Sequence, residues 1–120
     1  MRGRQGPETS GIIGHKGFFY HFLDMGTATR FARCELSSVD TALLLGGVLT
    51  AAGYFDRDDP VEVQVRAAAM RIYEGVDWTF MARPNGLVSM GWHPEPGMRD
   101  HDARGLIDRN WDRYNEGMLI

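Results

Sequence analysis

The longest apolar stretch of the chain is SVDTALLLGGVLTAAGY, residues 38–54. Ser37 stands directly before it and Asp40 three positions after Ser37, the spacing of a capping box in which the serine caps and the acid answers it. The pattern predicts a helix over 38–54 with almost no polar face, hence one enclosed by other elements. Gly46 and Gly47 weaken it by about 1 kcal/mol each relative to alanine, which suits close approach of a neighbouring backbone. A second helix begins where Asp59 caps, Pro60 takes the first helical position and Glu62 follows in the first turn. Val61, Val65, Ala68, Ala69 and Ile72 recur at three-to-four spacing and predict its inward face, with Glu62, Arg66 and Arg71 toward water. Gly75 closes it. The acidic link Asp56-Arg57-Asp58-Asp59 makes the pair an α/α-hairpin.

Shorter patterns flank this pair. The aromatic run 17–23 (GFFYHFL), a turn at Asp24-Met25-Gly26-Thr27 and a return over 29–32 predict one β-hairpin. Asn85-Gly86, between apolar runs 77–81 and 87–92, predicts another. Residues 98–109 read as an irregular loop and 1–13 as a flexible lead-in. A third, buried helix is expected from Asn110, with Trp111 and Tyr114 three apart and Asp112 and Glu116 four apart. The chain stops inside the apolar Met118-Leu119-Ile120 without a helix-closing signal, so it reads as a fragment of one larger domain, with an isolated form marginally stable and prone to associate.

Composition narrows the function. The 120 residues carry 13 Lys+Arg against 16 Asp+Glu, a net charge of −3, and no basic run. A surface that tracks nucleic-acid phosphates is therefore not expected. No apolar run approaches the roughly 20 residues of a membrane span, and the first residues lack the apolar segment of a signal peptide. The single cysteine, Cys34, excludes an internal disulfide. Fifteen glycines imply a large share of loops and turns, where sites concentrate.

Three carboxylates stand at the starts of apolar helices: Glu35 before the first, Asp40 in its first turn, and Glu116 in the early turns of the expected third. Cleaving a glycosidic bond takes two carboxyl groups, one protonated and one ionised, and rigid helix starts suit them. Capping already explains Asp40; Glu35 serves equally well as an ordinary loop acid, and Glu116 as part of a solvated helix face. Trp92 and Trp111, with Trp78 behind them, offer flat faces to the C–H face of a sugar or to a core. His15, His21, His93 and His101 show no metal-ligand spacing. The acids at 56, 58 and 59 lack the glycine and terminal glutamate of a calcium loop. Nothing orients Ser89 and His93 as a hydrolase pair.

Four ordered motifs carry a family likeness: GHKGFFYHFLDM (14–25), CELSSVDTALL (34–44), GLVSMGW (86–92) and WDRYNE (111–116). Together they resemble the bacterial glucoamylase-like (glycoamylase-like) domain, and the first two are also similar to a segment of cyclic β-1,2-glucan synthases. The resemblance implies a mainly α fold with short β-hairpins, part of an α/α toroid of the six-hairpin glycosidase type, whose inner helix starts form a carbohydrate cleft. It implies a glycoside hydrolase acting on a bacterial glucan, most often β-1,2-linked, with no cofactor and with periplasmic or secreted relatives. Carried over, Glu35, Asp40 and Glu116 become the catalytic candidates. Tyr20, His21, Asp24, Trp92, Trp111 and Tyr114 become substrate-binding candidates. A non-catalytic carbohydrate-binding scaffold and a transglycosylase of cyclic glucan synthesis are the alternatives.

Overall fold

The computed structural model describes residues 3–120; Met1 and Arg2, the start of the expected lead-in, lie outside the described residues. The elements in chain order are β1 (Gly14–His15), β2 (Phe18–Tyr20), β3 (Leu36–Ser37), α1 (Ser38–Tyr54) and α2 (Pro60–Glu74). A single helical turn α3 (Trp78–Met81), β4 (Val88–Ser89), β5 (Gly91–Trp92), β6 (Asn110–Trp111) and a 3₁₀ turn at Glu116–Leu119 follow. Strands β1-β2-β3-β5 form one antiparallel sheet in that order, and β4 pairs with β6 in a second.

This corrects the expected mainly α toroid. The chain has two long helices packed on each other, beside small antiparallel sheets that carry the core. Ile12, Phe18, Tyr20, Leu36, Met81, Trp92 and Leu106 form that core, with Trp78, Phe80 and Val88 against it. Neither long helix contributes to it. Ile12, 1% exposed, anchors the predicted lead-in to it, and Ile13 N–H donates to Arg4 C=O at 2.9 Å.

Helix α1 forms for the reason its sequence advertises. Ser37 is extended and its hydroxyl accepts from Asp40 N–H at 3.2 Å. Within this chain other elements cover it only in part. Only Ser38, Thr41, Ala42 and Leu45 are buried, Leu43, Leu44 and Leu49 are exposed, and nothing lies within 4 Å of where a Cβ on Gly46 or Gly47 would stand. The accessible surface of 8031 Å² exceeds the ~6,500 Å² of a compact monomer of this mass.

Helix α2 has its predicted bounds, with Asp59 accepting from Val61 N–H and Glu62 N–H. Its inward face follows the prediction at Val65, Ala68, Ala69 and Ile72 and departs from it in the first turn. Val61 is exposed, whereas Glu62 is buried because it accepts from Arg57 N–H at 2.8 Å and Arg57 Nε at 2.7 Å. Arg66 turns inward as well, donating to the carbonyls of Phe55 and Arg57 where α1 ends. Local hydrogen-bond demand at the interhelical link outweighed hydrophobic spacing.

The hairpins also differ. The first turns at Lys16-Gly17, between His15 and Phe18, with φ of 54° and 83°. Two positive φ values in a two-residue loop match the twist of the flanking strands. Gly17 is required twice over, since a Cβ there would stand 2.1 Å from Gly75 C=O. The predicted 17–23/29–32 hairpin survives as one bridge, Leu23 with Arg30, around an Asp24-centred turn. Asn85-Gly86 does reverse the chain, with Arg83 N–H donating to Leu87 C=O at 2.8 Å; the preceding run 77–81 is helical rather than extended. The third helix expected from Asn110 is instead strand β6, where Trp111 pairs with Val88 and Asn110 with Ser89.

Candidate active site

Strand β3 is the hinge of the site. It is two residues long, pairs with β2 on one side and β5 on the other, and runs without a break into α1. Its pairing with β2 continues one residue beyond the sheet, where His21 N–H donates to Glu35 C=O at 2.9 Å. The side chains of these two residues therefore stand side by side, and His21 Nδ1 lies 2.7 Å from Glu35 Oε1. Asp40, one turn into α1, reaches the other end of the same ring, with Oδ2 3.6 Å from Nε2. Ser37 Oγ donates to that Oδ2 at 2.6 Å and fixes the carboxylate. Phe22 stacks on the imidazole, centroids 4.1 Å apart and planes 13° from parallel.

Burial acts to raise the Glu35 carboxyl. Hydrogen bonds from its own backbone N–H and from His21, with charge interactions from His21 and His93, outweigh burial and hold the group below the usual carboxylate range. An ionised carboxylate only accepts, so the Nδ1 facing it carries the proton. The cluster stays open to water, with 31%, 37% and 40% of the Glu35, His21 and Asp40 side chains exposed. An apolar hollow of about 450 Å³ borders it through Phe22, shared with Leu23, Asp24, Met25 and Phe31. A second cavity, about 400 Å³, lies against His93, Glu95 and His101.

The other candidates occupy different positions. Tyr20 is 3% exposed and its hydroxyl is buried without a partner, with burial the leading cause that pushes it up to about 12. Asp24 Oδ1 accepts from the N–H groups of Gly26 and Thr27 and from the Thr27 hydroxyl, which serves the turn. Trp92 is in the core, stacked on His15 at 5.1 Å, its indole N–H donating to Arg104 C=O. Trp111 is half-buried and donates to Ser38 Oγ at 2.9 Å. Tyr114 is 92% exposed. Glu116 is exposed in the 3₁₀ turn, which rests on α1. The structure thus brings Glu35, His21 and Asp40 together and leaves Glu116, Trp92, Trp111 and Tyr114 outside that contact set.

Sequence reasoning missed Arg30 and its pairing with Glu95, a carboxylate that its apolar surroundings had marked. Arg30 is fully buried, donates through two nitrogens to Glu95 at 2.7 and 3.1 Å, and lies 4.6 Å above the Tyr20 ring. Nothing in the local pattern around Arg30 announces burial. His93 and His101 also pair, Nδ1 to Nε2 at 2.8 Å. Among the described residues no group of three or more His, Cys, Asp or Glu is arranged to hold a metal ion. Among them, too, no helix is long and apolar enough to cross a membrane.

Comparison with known proteins relates the chain to a glycoside hydrolase. Over 81 residues, 68% of this chain, it is 27% identical to an exo β-1,2-glucooligosaccharide sophorohydrolase (non-reducing end) of Parabacteroides distasonis. The match spans 10% of that protein's length. No family model matches the sequence, and no solved structure matches it.

Proposed function

We propose that the chain carries part of the glycan-cleaving site of a glycoside hydrolase of the glucoamylase-like kind, acting on β-1,2-linked glucooligosaccharides. The observation that supports this most is the convergence of Glu35 and Asp40 on one imidazole at the strand-to-helix junction. The similarity to a β-1,2-glucooligosaccharide hydrolase supports this choice of substrate class. Hydrolysis takes one carboxylic acid to protonate the glycosidic oxygen and one carboxylate to activate water or to attack carbon. Glu35 and Asp40 have the imidazole between them and do not face each other across an open gap. A third carboxylate therefore completes the acid/base set, and Glu116 is the candidate this chain offers.

The test is release of reducing sugar from β-1,2-glucooligosaccharides by the full-length protein and its Glu35→Gln, Asp40→Asn and Glu116→Gln variants. Each general acid or base contributes about 10²–10⁴-fold, so kcat falls at least 100-fold where the assignment holds. Three variants at near wild-type rate would remove the assignment. Oligosaccharide binding without cleavage by the wild-type protein would favour a carbohydrate-binding scaffold, and longer or cyclic products would favour transglycosylation.

A further inference from the structure

The mechanism proposed above uses carboxylates and leaves unexplained why a histidine sits between two of them. His21 is not a core histidine, since its ring is stacked on exposed Phe22 and over a third of it meets water. Nor does it serve the ladder through its side chain, because its backbone N–H already does that. Carboxylates face both ring nitrogens: Nδ1 is hydrogen-bonded to Glu35 at 2.7 Å, and Asp40 Oδ2 stands 3.6 Å from Nε2, outside hydrogen-bond distance. Each carboxylate has a second restraint of its own: Glu35 accepts from its own backbone N–H, and Asp40 accepts from the Ser37 hydroxyl.

We infer that His21 is the positioning residue of this site, whose ring, set between Glu35 and Asp40, pins the Glu35 carboxylate facing water and so assigns it to the carboxylate rather than the general-acid role. This rests on the glycoside hydrolase reading for its catalytic consequence but not for its physical content. The charged groups that bear on Glu35 are His21 from the strand beside it and His93 from the segment after β5. Asp40 from α1 faces the far end of the ring. With the Nδ1–H removed, Glu35 keeps its burial and loses a donor, so its proton affinity rises. Loss of activity then begins at a higher pH on the acid side, because an ionised Glu35 is what the reaction requires.

The experiment compares His21→Phe, which keeps the flat ring against Phe22 but has no nitrogen, with His21→Asn, whose amide places a donor near the Nδ1 position. Carboxyl ¹³C titration of Glu35 reads the physical claim without any substrate. The Phe variant should move its midpoint upward by about one pH unit, equivalent to a tenfold change in proton affinity, and the Asn variant should restore most of that. In hydrolysis of β-1,2-glucooligosaccharides, the acid limb of kcat/KM should move with the titration, and kcat should fall more than KM rises. An aryl glucoside with a good leaving group, which needs little protonation, should not rescue Glu35→Gln. An unmoved Glu35 midpoint in His21→Phe, or rescue of Glu35→Gln by the aryl substrate, would overturn the inference. If the midpoint moves while the wild-type protein cleaves no β-1,2-glucan, the positioning claim stands and the substrate reading falls.

Discussion

The buried pair Arg30–Glu95 offers the sharpest test of how the loops around the site are held. Arg30 has a fully buried side chain and Glu95 one 17% exposed. The guanidinium donates to both carboxylate oxygens, to Cys34 C=O at 2.9 Å and to Thr9 C=O at 3.0 Å, so one side chain ties three segments together. The Arg30 hydrogen bond is the leading cause that holds Glu95 below the usual carboxylate range. Removing one partner of such a pair leaves an uncompensated buried charge and costs about 3–5 kcal/mol. Glu95→Gln keeps one acceptor oxygen and should lie near the lower figure. Arg30→Met orphans two carbonyls as well and should lie near the upper. Replacing both, as Arg30→Met with Glu95→Leu, removes the buried charges together. It should recover at least about 2 kcal/mol relative to the sum of the single losses, since an apolar replacement of similar volume is often neutral.

The assay is urea unfolding at neutral pH followed by tryptophan fluorescence, repeated toward acid. Glu95 has a depressed folded pKa, so its contribution is complete above the unfolded value of about 4.3 and is lost as pH falls through the folded value. That acid loss should be missing from Glu95→Gln. The scale matters, because total stabilities run about 5–15 kcal/mol and either single change removes a large share. A cost below about 1 kcal/mol for Glu95→Gln, the range of an exposed ion pair, would refute the reasoning. So would strict additivity in the double variant.

Three further outcomes follow from the same geometry. Tyr20→Phe removes a buried hydroxyl that has no partner; relief of a desolvation cost of about 1–3 kcal/mol should raise the melting temperature, and a lower one would show that the hydroxyl is satisfied. Ser37→Ala deletes the cap of α1 and the tether on Asp40, so thermal unfolding should show a loss of about 1 kcal/mol. His93 has its pKa lowered, first by burial and then by His101 and Arg30. The unfolded chain therefore takes up that proton more readily, and stability should fall as pH drops from about 6.5 through the folded value. His93→Gln should flatten that step in a pH series of melting curves.

The helices were legible because their signals are local. Ser37 with Asp40, and Asp59 with Pro60, give bounds for α1 and α2 that the structure reproduces. The sheets were not, because each strand is two or three residues long and is defined by partners distant in sequence. Leu36 opposes Trp92, and Val88 opposes Trp111. Two residues show no period, so the Trp111–Tyr114 spacing suggested a helix where pairing with Val88 makes a strand. The Lys16-Gly17 turn lacks the Asn-Gly or Asp-Gly signature, and its glycine answers to a contact with Gly75, 58 positions away. The toroid came from family resemblance alone, and the arrangement of these two helices beside small sheets overturns it.

The sequence singled out Glu35, Asp40 and His21 without their arrangement, for a reason specific to this topology. Glu35 and Asp40 stand five apart, and a continuous helix would turn them well away from one another. They meet a common ring because the chain is extended through Leu36 and Ser37 and helical only from Ser38. That change of conformation swings Asp40 back over the exit of β2, where His21 emerges fourteen residues before Glu35. The ladder bond from His21 to Glu35 sets the first distance and the Ser37 cap sets the second. One hydroxyl therefore serves both ends, accepting from Asp40 N–H as the cap and donating to the Asp40 carboxylate. Loss of the Ser37 hydroxyl should loosen the carboxylate as well as the helix, and the two effects should appear together in any variant that removes it.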